Sequence, residues 1–131
     1  MTLIRNSNQA KQGLDFTGVQ NGKIHPTDID AVLEFDNEAL ILMEVKKINN
    51  LLKIGQRLVL ERICDSWHTD KSIVLFITHN YKNDCVDIPL SQCNVAQYYC
   101  NGKWNTLIKD NKLIDVLNKL GIKWKINKLK I

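Results

Sequence analysis

Asp30, Glu44 and Lys46 are the residues of this 131-residue chain whose types and spacing best suit chemistry. Glu44 and Lys46 lie two positions apart after the apolar run 39–43, so they share one face if this run is a strand. A charged group at the end of a buried strand is costly without a partner. The pattern therefore predicts a specific polar partner for Glu44 and Lys46.

Asp30 is the partner that the preceding segment offers. Residues 29–35 alternate as a half-buried strand does, and residues 36–38 form a short polar loop before the apolar run. In a hairpin centred on Asn37, opposed residues lie equally far from Asn37, which pairs Asp30 with Glu44 at a Cβ separation of roughly 4.5–5.5 Å. Two carboxylates this close repel each other unless one is protonated or a cation lies between them.

The chemistry that this arrangement favours is metal-assisted hydrolysis of a phosphodiester. Oxygen ligands at this separation suit Mg²⁺, which keeps several waters and joins a protein to substrate phosphates. We expect Mn²⁺ to substitute for it. Lys46 is placed to orient or activate the attacking water and to offset the charge of the transition state. The serines and cysteines form no comparable nucleophilic arrangement.

The elements that must position these residues follow from hydrophobic periodicity. The pattern predicts a hairpin of strands over 29–35 and 39–43, an amphipathic helix over 55–67 and a buried strand over 72–78. Further along it predicts an extended piece over 86–90, a hairpin over 95–105 with an Asn-Gly turn, a helix over 107–120 that stops at Gly121, and a strand over 122–126. A short helix near residues 2–12 is also expected. The order indicates one α/β domain, 1–131, around a central sheet.

These motifs resemble the PD-(D/E)XK, or restriction-endonuclease-like, nuclease superfamily. The matching residues are Pro26-Thr27-Asp28-Ile29-Asp30, Glu44-Val45-Lys46 and the helix start Gly55-Gln56-Arg57. The resemblance covers about residues 26–60 in detail. It implies a three-layer sandwich with a central mixed β-sheet flanked by helices, and a metal-dependent DNA endonuclease. Small members include phage-type nucleases and Holliday-junction resolvases, which act as homodimers.

The resemblance also implies a role for each site residue. Asp30 and Glu44 would bind Mg²⁺ together with the carbonyl of Val45, and Lys46 would position the water. Gln56 would assist, since it is the polar side chain on the core-facing stripe of its helix. Many members carry a further acidic residue on the first helix, but here no glutamate precedes Glu34, and the nearby substitutes are Gln9, Gln12 and Asp15. We therefore expect one firmly held metal ion.

Charge and compartment are compatible with a DNA partner. The formal charge is +4, and residues 103–131 carry eight lysines and two aspartates, a net +6. Such lysines gain from counterion release on phosphates, although on charge alone a solvated helix and tail are the more frequent explanation. No apolar run approaches the roughly 18 residues of a membrane span. We expect no membrane contact, a cytoplasmic location and free thiols at Cys64, Cys85, Cys93 and Cys100.

Several alternatives stay open at this point. Asp28 rivals Asp30, and we expect it to support the strand entry. His25 and His79 could face substrate, but a structural or solvent-facing role is the more frequent one for a lone histidine. The aromatic residues Tyr98, Tyr99, Trp104 and Trp124 could stack on bases, although core packing is the commoner fate. A non-catalytic nucleic-acid-binding module that has kept the fold is the alternative function.

Overall fold

A five-stranded mixed sheet forms the centre of the structure, a computed structural model that describes residues 14–20, 22–24, 26–82, 86–109 and 111–131. Its strands are β1 (Ala31–Phe35), β2 (Ala39–Lys47), β3 (Ser72–His79), β4 (Asn94–Cys100) and β5 (Lys103–Thr106), in the spatial order β1-β2-β3-β4-β5. β2 and β3 are parallel and the other neighbours are antiparallel. Helix α1 (Ile54–Ser66) joins β2 to β3, and α2 (Leu113–Trp124) follows β5. The predicted α/β class with a mixed central sheet is confirmed.

The two helices cover opposite faces of the sheet, because successive strand residues point to opposite sides. In β2, Leu40 and Leu42 pack with Leu60 and Cys64 of α1. The intervening residues pack on the other face with the apolar stripe of α2. β2 is therefore apolar on both sides, as its sequence indicated.

The register of the first hairpin is the predicted one. Met43 lies opposite Ala31 and Ala39 opposite Phe35, so the hairpin is centred on Asn37. Asp36 and Asn37 turn the chain with φ of 51° and 63°, a left-handed conformation that Asp and Asn tolerate better than most residues. Asp30 therefore lies one position beyond the β1 ladder, beside the charged end of β2.

Strand β2 continues past the apolar run to Lys47, so Glu44 and Lys46 lie at the end of the strand, as predicted. Its neighbour β3 pairs along the whole extension, with Lys46 opposite Thr78 and Lys47 opposite His79. The hydrophobic pattern ends at Met43, but the ladder continues because backbone pairing does not depend on side-chain polarity. The charged end of β2 is thus held rigidly within the sheet.

Most other predicted elements lie close to the observed ones. Helix α1 and strand β3 differ from their predicted bounds by one residue at an end, and Asn101 and Gly102 form the predicted two-residue turn with φ of 52° and 75°. The predicted extended piece at 86–90 is instead an irregular segment followed by a 3₁₀ turn, Leu90–Gln92.

Cys64, Cys93 and Cys100 are free thiols, as expected. Cys85 and the helix predicted near 2–12 lie outside the described residues. Among the described helices, none has the length and apolar character to cross a membrane.

The predicted C-terminal helix exists with different bounds, and the strand predicted after it is wrong. Helix α2 begins at Leu113 and continues through Gly121 to Trp124, so residues 122–124 are helical. The buried residues Leu113, Leu117, Leu120 and Trp124 repeat at helical spacing. Of the residues whose alternation predicted a strand, Trp124 belongs to this helical stripe, whereas Ile122 is exposed and Ile126 lies beyond the helix.

Gly121 serves close packing and does not end the helix. A Cβ at this position would collide with the backbone carbonyl of Leu129, because the C-terminal segment folds back across α2. The Ile126 N–H donates to the Gly121 carbonyl at 2.9 Å. The left-handed residue that ends the helix is Lys125, with φ of 57°.

Gly121→Ala is expected to lower the free energy of unfolding by about 1–3 kcal/mol, the usual cost of overpacking, although alanine has the higher helix propensity. Urea unfolding followed by circular dichroism measures the change. Gly55→Ala in α1 is the matched control, since a Cβ there meets nothing within 4 Å. Equal loss of stability in both variants would contradict the packing role.

Candidate active site

Glu44 is the one buried charged residue in the described part of the chain, with 2% of its surface exposed. It lies on the face of β2 that α1 covers, in register with Phe76 of β3. Apolar residues precede it on the same face, so it lies where a structural strand would have another aliphatic side chain. Its surroundings therefore decide what it does.

The two oxygens of Glu44 have different environments. Oε1 accepts a hydrogen bond of 2.6 Å from Nε2 of Gln56 and lies 3.5 Å from Nζ of Lys46. Oε2 is buried and has no hydrogen-bond partner among the described residues. A buried carboxylate oxygen without a partner is costly. A cation or a hydrogen-bond donor at Oε2 would therefore stabilise the carboxylate.

Asp30 approaches the site from the start of β1. Its Oδ2 accepts a hydrogen bond of 2.8 Å from the backbone N–H of Val45. The N–H and C=O of a strand residue point to the same side, so the Val45 carbonyl also faces the edge where Asp30 lies. The β1 ladder ends at Ala31, which leaves this carbonyl beyond the last β1 partner. Asp30, Glu44 and the Val45 carbonyl are therefore brought to one place.

Burial raises the pKa of the Glu44 carboxyl from an ordinary value of 4.5 to about 7, and the negative charge of Asp30 adds to the increase. The positive charge of Lys46 acts in the opposite direction without cancelling it. Both main causes disfavour a second negative charge in a desolvated place. The site therefore favours a proton or a cation near neutral pH.

The oxygen donors at this place suit a hard divalent cation. The described residues contain no group of three His, Cys, Asp or Glu side chains arranged to hold a metal ion. Mg²⁺ does not need such a group, because it commonly binds one or two carboxylates and fills its remaining positions with water and substrate phosphate. The unpartnered Oε2 of Glu44 and the carboxylate of Asp30 fit that requirement.

Lys46 and Gln56 reach the site from different elements. Lys46 follows Glu44 on the same face of β2, and 27% of its side chain is exposed. Gln56 lies in the first turn of α1 and is half-buried. The loop between β2 and α1 positions Gln56, so its contact with Glu44 is tertiary. All four predicted side chains, Asp30, Glu44, Lys46 and Gln56, thus lie at one site.

The other candidates lie elsewhere or are occupied. Asp28 is exposed, and Lys47 points to the opposite face of the sheet from Lys46. His25 lies outside the described residues. His79 ends β3, and its Nδ1 accepts a hydrogen bond of 3.2 Å from the backbone N–H of Tyr81. His79 and Lys47 lie opposite each other at the edge of the sheet that carries the site.

Two aromatic residues considered for base stacking are held beneath α1. The Trp104 Nε1–H donates to Oε1 of Glu61 at 3.1 Å, and the Tyr99 hydroxyl donates to Asp65 at 2.9 Å. Glu61 also forms an ion pair with Arg57 at 3.8 Å, and 17% of the Glu61 side chain is exposed. Buried indole N–H groups require an acceptor, and the helix supplies it.

Comparison of the chain with protein-family models, curated proteins and solved structures finds no match. Function must therefore be inferred from the geometry around Glu44. The central feature is a buried carboxylate with one oxygen bound by Gln56 and Lys46 and the other left without a partner beside Asp30.

Proposed function

We propose that this protein is a metal-dependent nuclease that hydrolyses phosphodiester bonds in DNA, with Asp30, Glu44, Lys46 and Gln56 as its site residues. The metal is Mg²⁺, for which Mn²⁺ substitutes. The observation that carries the proposal is the unpartnered Oε2 of buried Glu44 beside the Asp30 carboxylate. A buried group with a raised pKa beside a charge of the same sign is a recognised mark of a functional site.

A purely structural role explains this arrangement poorly. Replacing Glu44 with an aliphatic residue would extend the apolar run of β2 and remove an unsatisfied buried oxygen. Burying a carboxylate costs several kcal/mol unless it is paired and hydrogen-bonded, and here only Oε1 is paired. A site that binds a cation compensates that cost when it is occupied.

Each residue has a separate task in the proposed reaction. Asp30 and Glu44 hold the ion, and the Val45 carbonyl faces the same place. A bound Mg²⁺ would polarise the phosphate and lower the pKa of a water molecule. Lys46 is partly exposed and its Nζ lies 3.5 Å from Oε1 of Glu44, so its ammonium borders the site, where it would orient the attacking water and offset negative charge on the phosphate. Gln56 binds Oε1 of Glu44 and thereby leaves Oε2 for the ion.

The fold supports an assignment to the restriction-endonuclease-like architecture. The acidic residue before β1, the Glu-x-Lys motif at the end of β2 and the glutamine at the start of α1 occur in the order of that superfamily. Helices cover both faces of the sheet, which agrees with a three-layer sandwich. We also propose that the protein binds DNA, is located in the cytoplasm and forms a homodimer.

A cleavage assay on a panel of nucleic acids tests the proposal. Linear duplex DNA, single strands, four-way junctions and RNA are each incubated with the protein in Mg²⁺, in Mn²⁺ and in EDTA. Cleavage of DNA with either metal and none in EDTA is expected, and Glu44→Ala should abolish it while the fold is retained. If no substrate is cut under any condition, or if Glu44→Ala still cuts, the nuclease assignment is wrong.

The same panel separates two kinds of nuclease. A junction resolvase cuts four-way junctions in preference to linear DNA, and it does so as a homodimer because two symmetric strands must be cut. Sedimentation equilibrium measures the oligomeric state. Equal cutting of all DNA substrates by a monomer would favour a plain phage-type nuclease.

Gln56→Leu is expected to slow cleavage by about 10–100-fold, as loss of a group that orients a metal ligand commonly does. It removes the hydrogen bond that stabilises the charged form of Glu44, so the pKa of Glu44 should rise further. The rate profile against pH should therefore shift to the alkaline side. Gln97→Leu is the control, because Gln97 hydrogen-bonds Thr106 on β5. An unshifted profile would contradict the positioning role.

A non-catalytic nucleic-acid-binding module is the second candidate. The small number of carboxylates at the site favours it, since the described residues offer only Asp30 and Glu44 there. Calorimetric titration with Mg²⁺ and Mn²⁺ discriminates between the two functions. Absence of binding at millimolar metal, together with retained DNA binding, would establish this alternative.

A further inference from the structure

A cavity of about 230 Å³ opens at the carboxyl ends of β2 and β3, the edge of the sheet that carries Lys46. Its wall includes Thr78, which pairs with Lys46 across the two strands. Neighbouring strands lie about 4.8 Å apart, so this wall begins one strand spacing from the Lys46 backbone. The cavity therefore adjoins the end of the strand that carries Glu44 and Lys46, and neither of these two residues lines it.

Most of the residues that line the cavity have side chains that can form hydrogen bonds. The lining consists of residues 78–81, Gln92 and Asn94 around Ile48. Side-chain amides can donate and accept at once, as the edges of nucleobases require. The ring of Tyr81 supplies a face for stacking. The cavity is smaller than the roughly 300–1,000 Å³ of a pocket for a drug-sized ligand, which suits one unit of a longer chain.

His79 lines this cavity, and one of its two ring nitrogens is already hydrogen-bonded. Its Nδ1 accepts the backbone N–H of Tyr81 at 3.2 Å, so the neutral ring carries its proton on Nε2. The His79 carbonyl accepts the N–H of Ile48 at 2.7 Å, which ties the segment after β2 to the end of β3. The wall is therefore fixed from both strands.

We propose that this cavity binds one nucleotide of the strand that is cut, next to the scissile phosphate, with His79, Gln92 and Asn94 as its hydrogen-bonding groups. The inference rests on the proposed nuclease function and adds a subsite that positions the substrate. Because these groups lie outside the metal site, they should act on DNA binding and strand placement more than on the bond-breaking step. This separation makes the proposal testable apart from catalysis.

Two variants test the subsite. His79→Asn keeps an acceptor for the Tyr81 N–H but removes the Nε2 donor. Gln92→Ala truncates an exposed side chain, so we expect the fold to be retained. Binding of a fluorescein-labelled DNA oligonucleotide is measured by anisotropy in EDTA, and KM and kcat are measured in Mg²⁺. Each variant is expected to weaken binding and raise KM by about three- to tenfold, the effect of losing one hydrogen bond between uncharged groups, with a smaller change in kcat. His68→Asn, in the exposed segment before β3, is the matched control.

The outcomes separate the subsite from the nuclease function. If the wild-type protein binds the oligonucleotide but does not cut it, the nuclease proposal fails while the anisotropy comparison still decides the subsite. Unchanged binding and KM in both His79→Asn and Gln92→Ala would overturn the subsite, as would an equal loss in His68→Asn. No binding of any oligonucleotide by the wild type would overturn both proposals.

Discussion

Replacing Glu44 with glutamine is expected to lower kcat for DNA cleavage by about 1,000-fold or more and, at pH 8, to raise the free energy of unfolding by about 1–3 kcal/mol. The two effects have opposite signs because the same burial causes both. Glutamine fills the space of the carboxyl but carries no charge to hold the ion. It also relieves the cost of a desolvated charge beside Asp30.

The direction of the stability change follows from the raised pKa. Glu44 titrates near 4.5 in the unfolded chain and at about 7 in the folded protein. Its contribution to folding is therefore fully present below pH 4.5 and is lost as the pH rises through 7. Glu44→Gln should flatten the dependence of stability on pH across that window, and the two proteins should differ least at pH 4.

Urea unfolding at pH 4, 6 and 8 without metal measures this stability, and gel-based cleavage measures the rate. Glu34→Gln is the matched control, because Glu34 is an exposed glutamate on β1 whose Oε1 accepts the Asn37 N–H, which glutamine can also accept. A Glu44→Gln protein that cuts DNA at the wild-type rate would refute the catalytic role. One that is destabilised at pH 8 would show that Glu44 is a structural pair for Lys46.

Affinity for Mg²⁺ is expected to fall about tenfold for each pH unit below 7 and to level off above it. The ion competes with one proton for Glu44, since a carboxylate must be deprotonated to act as a ligand. The midpoint lies at about 7 because burial and Asp30 raise the pKa of Glu44. Isothermal titration calorimetry across pH 5.5–8.5 measures the affinity, in buffers chosen to report the released proton.

Asp30→Asn separates the two contributions to this behaviour. It removes one ligand, so affinity should drop at every pH, and it removes the negative charge that raises the pKa of Glu44, so the midpoint should move to lower pH. Asp28→Asn is the control, since Asp28 precedes the site and is exposed. Affinity for Mg²⁺ that does not change with pH would place the ion elsewhere than at Glu44.

The sequence alone was sufficient for the features that depend on local rules. The short Asp36-Asn37 turn and the alternation around it fixed the hairpin register, which brought Asp30 to Glu44. Parity along β2 placed Glu44 and Lys46 on one face. These predictions succeed because strand periodicity and tight turns are set by neighbours within a few residues.

The residue pattern near Gly121 gave a wrong strand and wrong helix bounds, because it fits two local structures. A glycine after an apolar stripe often ends a helix, and alternation of apolar and basic residues often marks a strand. The helix continues through Gly121, and a glycine is required there because the Leu129 backbone packs where a side chain would be. That contact forms because the C-terminal segment folds back across α2, which the residue pattern around Gly121 does not indicate.

Only the tertiary structure decided what the site residues do to one another. The sequence was sufficient to predict that Asp30, Glu44, Lys46 and Gln56 form the site. The near-complete burial of Glu44 and the unequal environments of its two oxygens depend on α1 packing over β2. The cavity beside Lys46 likewise requires the ends of β2, β3 and β4 to meet. Burial and hydrogen-bond pairing between distant segments are set by the whole fold, because desolvation depends on every element that excludes water from a group.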